Sequence, residues 1–137
     1  EKLRGGCEVE WKVFCNEELA KKLFNLSYPA EFNPDPYRWL VESDAVITLA
    51  GLSSLVELAY LKKRAIIAYI ANDFEQMGNA LEFEGREGYR VFNLSRVEAT
   101  DLQAALIGIL REEPKPPSVK DASNEIAKEI LETNTRN

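Results

Sequence analysis

The stretch DAVITLAGLSSLVELAYLKKRAIIAYI, residues 44–70, changes its hydrophobic period twice. AVITLA, residues 45–50, is a continuous apolar run, the pattern of a strand buried on both faces. The run breaks at Ala50-Gly51 and helical spacing takes over, with Leu55, Leu58 and Ala59 at i, i+3 and i+4 from Ser54 onward. Lys62-Lys63-Arg64 reads as a charged, solvated turn. AIIAYI, residues 65–70, is a second strand apolar on both faces. Two such strands joined through a helix form a parallel crossover unit, and their sheet must be covered on both sides.

Outward from this unit the alternation continues. VEWKVFC, residues 9–15, sets Val9, Trp11, Val13 and Cys15 against Glu8, Glu10 and Lys12, as a strand does. Asn16 caps a helix to about Leu26, with Leu19, Leu23 and Leu26 on one face. SYPAEFNPDP is a loop with a short strand around Ala30–Phe32, and Asp35-Pro36 opens a short helix, YRWLVES. Downstream, Asp73 opens a helix carrying Met77, Ala80, Leu81 and Phe83, which Gly88 ends. YRVFNL is the next strand. Thr100 caps a helix with Leu102, Ala105, Leu106, Ile109 and Leu110.

The expected architecture is α/β: a Rossmann-like parallel sheet with helices on both faces over residues 1–111. A stiff proline-rich linker, EEPKPPS at 112–118, and an amphipathic helix at 119–137 follow. A complete nucleotide-binding half opens with its own strand and a glycine-rich turn. Here Gly5-Gly6 precede a strand instead of following one, so this sheet is expected to lack its first strand and glycine-rich loop. Neither GxGxxG nor GxxxxGK[ST] occurs, which excludes the dinucleotide fingerprint and the P-loop.

Composition removes further classes. The chain has 137 residues, 45% of them hydrophobic, enough for one folded domain. A formal net charge of −6 with no basic face argues against nucleic acid as a partner. No apolar run is long enough to span a bilayer and the start carries no signal-peptide pattern. Cys7 and Cys15 in one extended strand lie about 26 Å apart, too far to bond, which favours a reducing compartment. Histidine is absent, so histidine acid–base chemistry and histidine metal sites fall away. No acidic pair of DxD type sits in a suitable loop, and neither a metal nor a cofactor is expected.

Ligands of open parallel sheets bind beyond the carboxyl ends of the strands. Two junctions there are polar: Ala50-Gly51-Leu52-Ser53-Ser54-x-x-Glu57, and Ala71-Asn72-Asp73-x-Glu75-Gln76-x-x-Asn79. A helix N-terminus offers unpaired N–H groups and partial positive charge, which suit a phosphate. Gly51 lets a backbone approach, Glu57 can accept from a sugar diol, and Asp73, Glu75, Gln76 and Asn79 can read hydroxyls. Capping explains the same residues without a ligand. Ser54-x-x-Glu57 is a capping box, and Asp73-x-x-Gln76 and Thr100-x-x-Gln103 are that box or a close variant. Each contact contributes about 1 kcal/mol. Spacing alone leaves both readings open.

The stretch from Ser43 to Phe92 resembles the carboxy-terminal domain of a glycosyltransferase family. The family includes the bacterial peptidoglycan-precursor N-acetylglucosaminyltransferase and the small subunit of the dolichol-linked N-acetylglucosaminyltransferase. The resemblance rests on Ala50-Gly51, Ser53-Ser54, Glu57, the buried AIIAYI strand, and Asp73 through Asn79-Ala80. It implies that the Gly51–Ser54 turn faces the diphosphate of a UDP-sugar, with Glu57 on the ribose. Asp73, Gln76 and Asn79 would lie along the sugar and the cleft, and Phe32 and Asn33 would fall at the uracil pocket. Glu75 stands where the bacterial pattern has glutamine, and Leu49 where a polar or basic residue is frequent.

The resemblance further implies that this chain is the donor-binding half of an inverting enzyme using UDP-N-acetylglucosamine. A separate amino-terminal domain or partner subunit would hold a lipid-linked acceptor at the cytoplasmic face of a membrane. The competing readings are a non-catalytic regulatory or assembly module of the same fold, and a nucleotide-sugar epimerase domain.

Overall fold

In a computed structural model of the chain, residues 9–25, 30–120 and 128 are described. The elements are β1 (Val13–Phe14), α1 (Glu17–Asn25), β2 (Ala30–Glu31), α2 (Tyr37–Glu42), β3 (Ala45–Leu49), α3 (Leu52–Tyr60), β4 (Arg64–Tyr69), α4 (Phe74–Leu81), β5 (Tyr89–Asn93) and α5 (Ala99–Ile109).

Strand β4 is the axis of the molecule. It pairs in parallel with β3 on one side, Ile47 opposite Ile66, and with β5 on the other, Ile67 opposite Val91. Its residues Ala65–Ala68 are buried because both faces are covered. Ala65 and Ile67 pack with Leu55, Leu58 and Ala59 of α3 and Ala80 of α4. Ile66 points the other way, onto Ala105, Leu106 and Ile109 of α5. The expected parallel α/β sheet, covered on two faces, is the fold observed. Full burial of one such isoleucine contributes about 1.5–3 kcal/mol, so this three-layer core dominates the stability.

Several sequence expectations need correction. The sheet is not continuous: β1 and β2 pair only with each other, in parallel, apart from β3-β4-β5. VEWKVFC does not form a seven-residue strand; only Val13–Phe14 is ladder-paired. Its partner β2 is two residues long and is followed by Pro34 and Pro36, which bring no ladder N–H. Helix α4 ends at Leu81, not at Gly88, and turns continue to β5. α5 starts at Ala99 with Glu98 as its N-cap, displacing Thr100. The Asp101 carboxylate accepts from the Glu98 N–H at 3.0 Å, a better-placed acceptor than Gln103.

The 62–64 turn is less solvated than expected. Lys63 donates to the carbonyls of Val41 and Ser43, closing the C-terminus of α2, and Arg64 donates to the Glu112 carbonyl at 2.7 Å. The proline-rich stretch lies against the sheet's amino edge. Glu112 accepts from the Gly88 N–H at 2.7 Å and from the Arg90 guanidinium. The Lys115 N–H donates to the Glu87 carbonyl at 2.9 Å. Cys7 and most of the expected last helix lie outside the described residues, with Lys128 alone of that helix described as helical. Among the described residues no helix is long and apolar enough to cross a membrane.

Candidate functional site at the carboxyl edge of the sheet

Parallel pairing sends the ends of β3 and β4 to one edge, so α3 and α4 begin side by side there. Sequence reading has α3 opening at Ser54. It opens at Leu52, with Gly51 as N-cap and no side-chain cap. Two residues of helix therefore precede Ser54, which places it inside the first turn, where its hydroxyl cannot cap. The Ser54–Glu57 capping box is not formed. Ser53, Ser54 and Glu57 are exposed, and the Glu57 carboxylate has no partner among the described residues. The N–H groups of Leu52, Ser53 and Ser54 also lack acceptors among the described residues. The Gly51 N–H turns back to the Leu49 carbonyl, and the Leu55 N–H is the first to close onto Gly51, at 3.1 Å.

Gly51 itself has φ −72° and ψ 133°, values any residue adopts. A Cβ built there meets nothing within 4 Å. Neither backbone strain nor packing in this chain requires a glycine at that position.

At α4 capping is real. Asp73 is the N-cap and accepts from the Gln76 N–H at 3.0 Å. The reciprocal contact is diverted: the Gln76 side-chain oxygen accepts from the Ile70 N–H at 3.3 Å. Asn72 holds the turn with φ 70°, a left-handed conformation that asparagine tolerates. Asn79 points back across the edge, and its Nδ2 donates to the Ala50 carbonyl at 3.2 Å. That bond ties α4 to the end of β3 and holds the two junctions together. The Asn79 oxygen and the Gln76 amino group have no partner among the described residues. Glu75 is exposed and unpaired among the described residues.

Both helix N-termini thus point their partial positive charge at one patch, and each can favour an anion by about 0.3–1 kcal/mol. Glu57 and Glu75 supply acceptors around it. Phe32 and Asn33 follow β2, in the separate strand pair. Phe32 is 53% exposed, and Asn33 accepts from the Asp35 N–H at 3.0 Å in a local turn. Among the described residues no hydrogen bond links either of them to the two junctions. The Leu52 amide is a feature that spacing missed, because the serine pair drew the predicted helix start two residues late. A concavity of about 560 Å³ lies elsewhere, at the sheet's amino edge, between Tyr60, Lys62 and the proline stretch. It gathers no comparable set of donors and acceptors.

No curated protein and no solved structure matches the chain. One family model does, over residues 6–133: the glycosyltransferase family 28 C-terminal domain. The match covers nearly the whole chain and includes both junctions. A parallel α/β unit with two helix N-termini converging on one polar edge is the donor half of such an enzyme, and this chain belongs to the C-terminal domain family of the family 28 glycosyltransferases.

Proposed function

We propose that the carboxyl edge of β3 and β4 binds a UDP-sugar, UDP-N-acetylglucosamine, for transfer to a lipid-linked acceptor. A separate amino-terminal domain or subunit holds that acceptor at the cytoplasmic face of a membrane. The observation that carries this reading is the start of α3. Its capping box is not made, three N–H groups are unused, and the glycine that opens it answers no need of the fold.

In this reading the N–H groups of Leu52, Ser53 and Ser54, with the two hydroxyls, take the diphosphate. Glu57, one turn further along α3, accepts from both ribose hydroxyls. The Gln76 amino group, the Asn79 oxygen and the Glu75 carboxylate address the sugar, and Asp73 acts through the cap it makes. Phe32 and Asn33 flank the uracil. The chain's contribution to the reaction is positioning, together with stabilisation of the charge that grows on the leaving diphosphate. Two aligned helix N-termini suit that role, since their dipoles are in place before the bond breaks.

The test is an NMR titration with UDP and then with UDP-N-acetylglucosamine. Shifts confined to Phe32–Asn33, Gly51–Glu57 and Asp73–Asn79, larger at the last segment for the sugar nucleotide, are expected. Shifts at other residues, or a response to UDP unchanged by the sugar, overturn the site or the donor respectively.

A further inference from the structure

The turn after β5 is a third junction on the carboxyl edge, and the proposed donor site leaves it unused. Its backbone is fixed. The Leu94 N–H donates to the Tyr69 carbonyl at 2.9 Å, which ties the turn to the end of β4. The Asn93 Oδ1 accepts from the Ser95 N–H at 3.0 Å and from the Ser95 hydroxyl at 2.9 Å. The Asn93 carbonyl accepts from the Arg96 N–H at 3.0 Å. Arg96 itself is exposed, and its guanidinium makes no hydrogen bond or ion pair among the described residues.

That isolation sets Arg96 apart on this edge. Arg38 is held by Glu42, one turn along α2. Lys62 and Arg111 are also unpaired among the described residues, but each follows a helix that has run back to the amino edge. The carboxylates nearest in sequence do not answer Arg96. Asp101 accepts from the Glu98 N–H at 3.0 Å, and the two residues close the start of α5 between them. At this junction an anion would meet a side chain, not a helix N-terminus.

The surroundings of Arg96 are apolar. Ile70 follows β4, Phe74 opens α4 and Leu94 follows β5, and they are 44%, 79% and 49% exposed. Side chains this exposed contribute little to the core. An unpaired guanidinium beside three exposed apolar groups suits an amphiphile with an anionic end.

The strand order β3-β4-β5 sets the start of α3, the start of α4 and the β5 turn in a row. Tyr69 is opposite Asn93, and neighbouring strands lie about 4.8 Å apart, so Arg96 flanks the start of α4 on the side away from α3. In the proposed transfer α3 takes the diphosphate and α4 the sugar. Inversion requires the acceptor oxygen to bond to C1 of the sugar from the face opposite the diphosphate. The diphosphate oxygen leaves with the bonding pair, and the acceptor's hydroxyl proton passes to a base of the acceptor-binding domain. Across the sugar from the diphosphate, along this row, stands Arg96.

We propose that Arg96 is this chain's contact to the acceptor: its guanidinium binds a phosphate of a phosphate-linked lipid, whose first carbons lie against Leu94 and Phe74. The assignment to the acceptor rests on the proposed function; the phosphate contact does not.

The experiment is an NMR titration of the chain with decyl phosphate, below micelle formation, with and without saturating UDP. Shifts at Phe74 and Leu94–Arg96, the Arg96 side-chain Nε–H among them, are expected in both. Arg96→Gln weakens this binding at least about tenfold. It leaves the UDP titration unchanged and the melting temperature within about a degree, since the side chain holds nothing in the fold. Arg96→Lys keeps the charge without the planar fork and falls between the two. Decanol shifting the same residues equally overturns the proposal, because no anion is then read. Inorganic phosphate binding as well as decyl phosphate overturns it too, because the lipid is then irrelevant. Shifts at Arg96 that UDP abolishes, or UDP affinity that falls in Arg96→Gln, assign the residue to the donor instead. The two readings separate. Shifts at Arg96 with no response to UDP sink the donor reading and leave a phosphate site, whereas a full UDP response with no effect of decyl phosphate at Arg96 sinks this proposal alone.

Discussion

Glu57 and Tyr89 are both polar groups without a partner among the described residues, in opposite settings. Glu57 is at the surface, so its isolation costs nothing in folding. We predict that Glu57→Gln leaves the melting temperature within about a degree. It should weaken UDP binding roughly tenfold or more, since hydrogen bonds to a charged acceptor contribute about 1.5–3 kcal/mol. Calorimetry and the NMR titration check the two halves, and equal affinity of the two proteins would refute the ribose role. The Tyr89 hydroxyl is buried without a hydrogen bond, and burial pushes its pKa up to about 12. Its ring packs on Phe83 at 5.0 Å. Tyr89→Phe keeps the ring and removes the orphan, and should stabilise the fold by about 1 kcal/mol in urea unfolding. At this scale the sequence was informative about residue types and silent about partners. Ser54-x-x-Glu57 fits a cap until the helix start is known, and nothing in the spacing reveals that Asn79 reaches the Ala50 carbonyl.

Among elements, β3 and β4 were read to within a residue at each end, and α3 and α4 were read as helices with one end misplaced. β1 and the start of α5 were misread because their extent depends on partners. A strand lasts only as long as its neighbour, and an N-cap goes to whichever acceptor lies nearest in space. The proline stretch is another case. Gly88 has φ +82°, and a Cβ placed on it would lie 2.6 Å from the Pro114 Cα. Gly88→Ala therefore meets both left-handed strain, about 1–2 kcal/mol, and a backbone clash. We predict a loss of at least about 2 kcal/mol in urea unfolding, with faster tryptic cleavage after Arg111 as the stretch lifts. Unchanged stability would mean that residues 112–118 are not held at the β5 entrance.

For the whole molecule, part of the acid sensitivity should trace to Glu112. The hydrogen bond from Arg90, and then the Gly88 N–H, hold Glu112 below the usual carboxylate range. A depressed folded-state pKa means the folded form resists protonation. The stabilisation is complete above the unfolded value, near about 4.3, and is lost as pH falls through the lower folded value. Glu112→Gln should lower stability at neutral pH by about 1 kcal/mol, allowing for partial solvent screening, and flatten the decline on acidification. Melting curves across the acid range check this, and a variant with the same acid decline as the parent would assign it elsewhere. The parallel class of the sheet and its two covered faces were legible from apolar runs. The division into two strand groups was not, because hydropathy records which faces are buried and says nothing about which edges are paired.

Gly51 is a position that folding does not police. Its dihedrals suit any residue and its surroundings leave room for a side chain. Under selection for stability alone, glycine there would drift to residues with lower unfolded-state entropy, since Gly→Ala at a compatible site stabilises by about 0.4–1 kcal/mol. A population of this gene evolved without demand for donor binding should lose Gly51 early. One kept under that demand should retain it at a standing cost in stability.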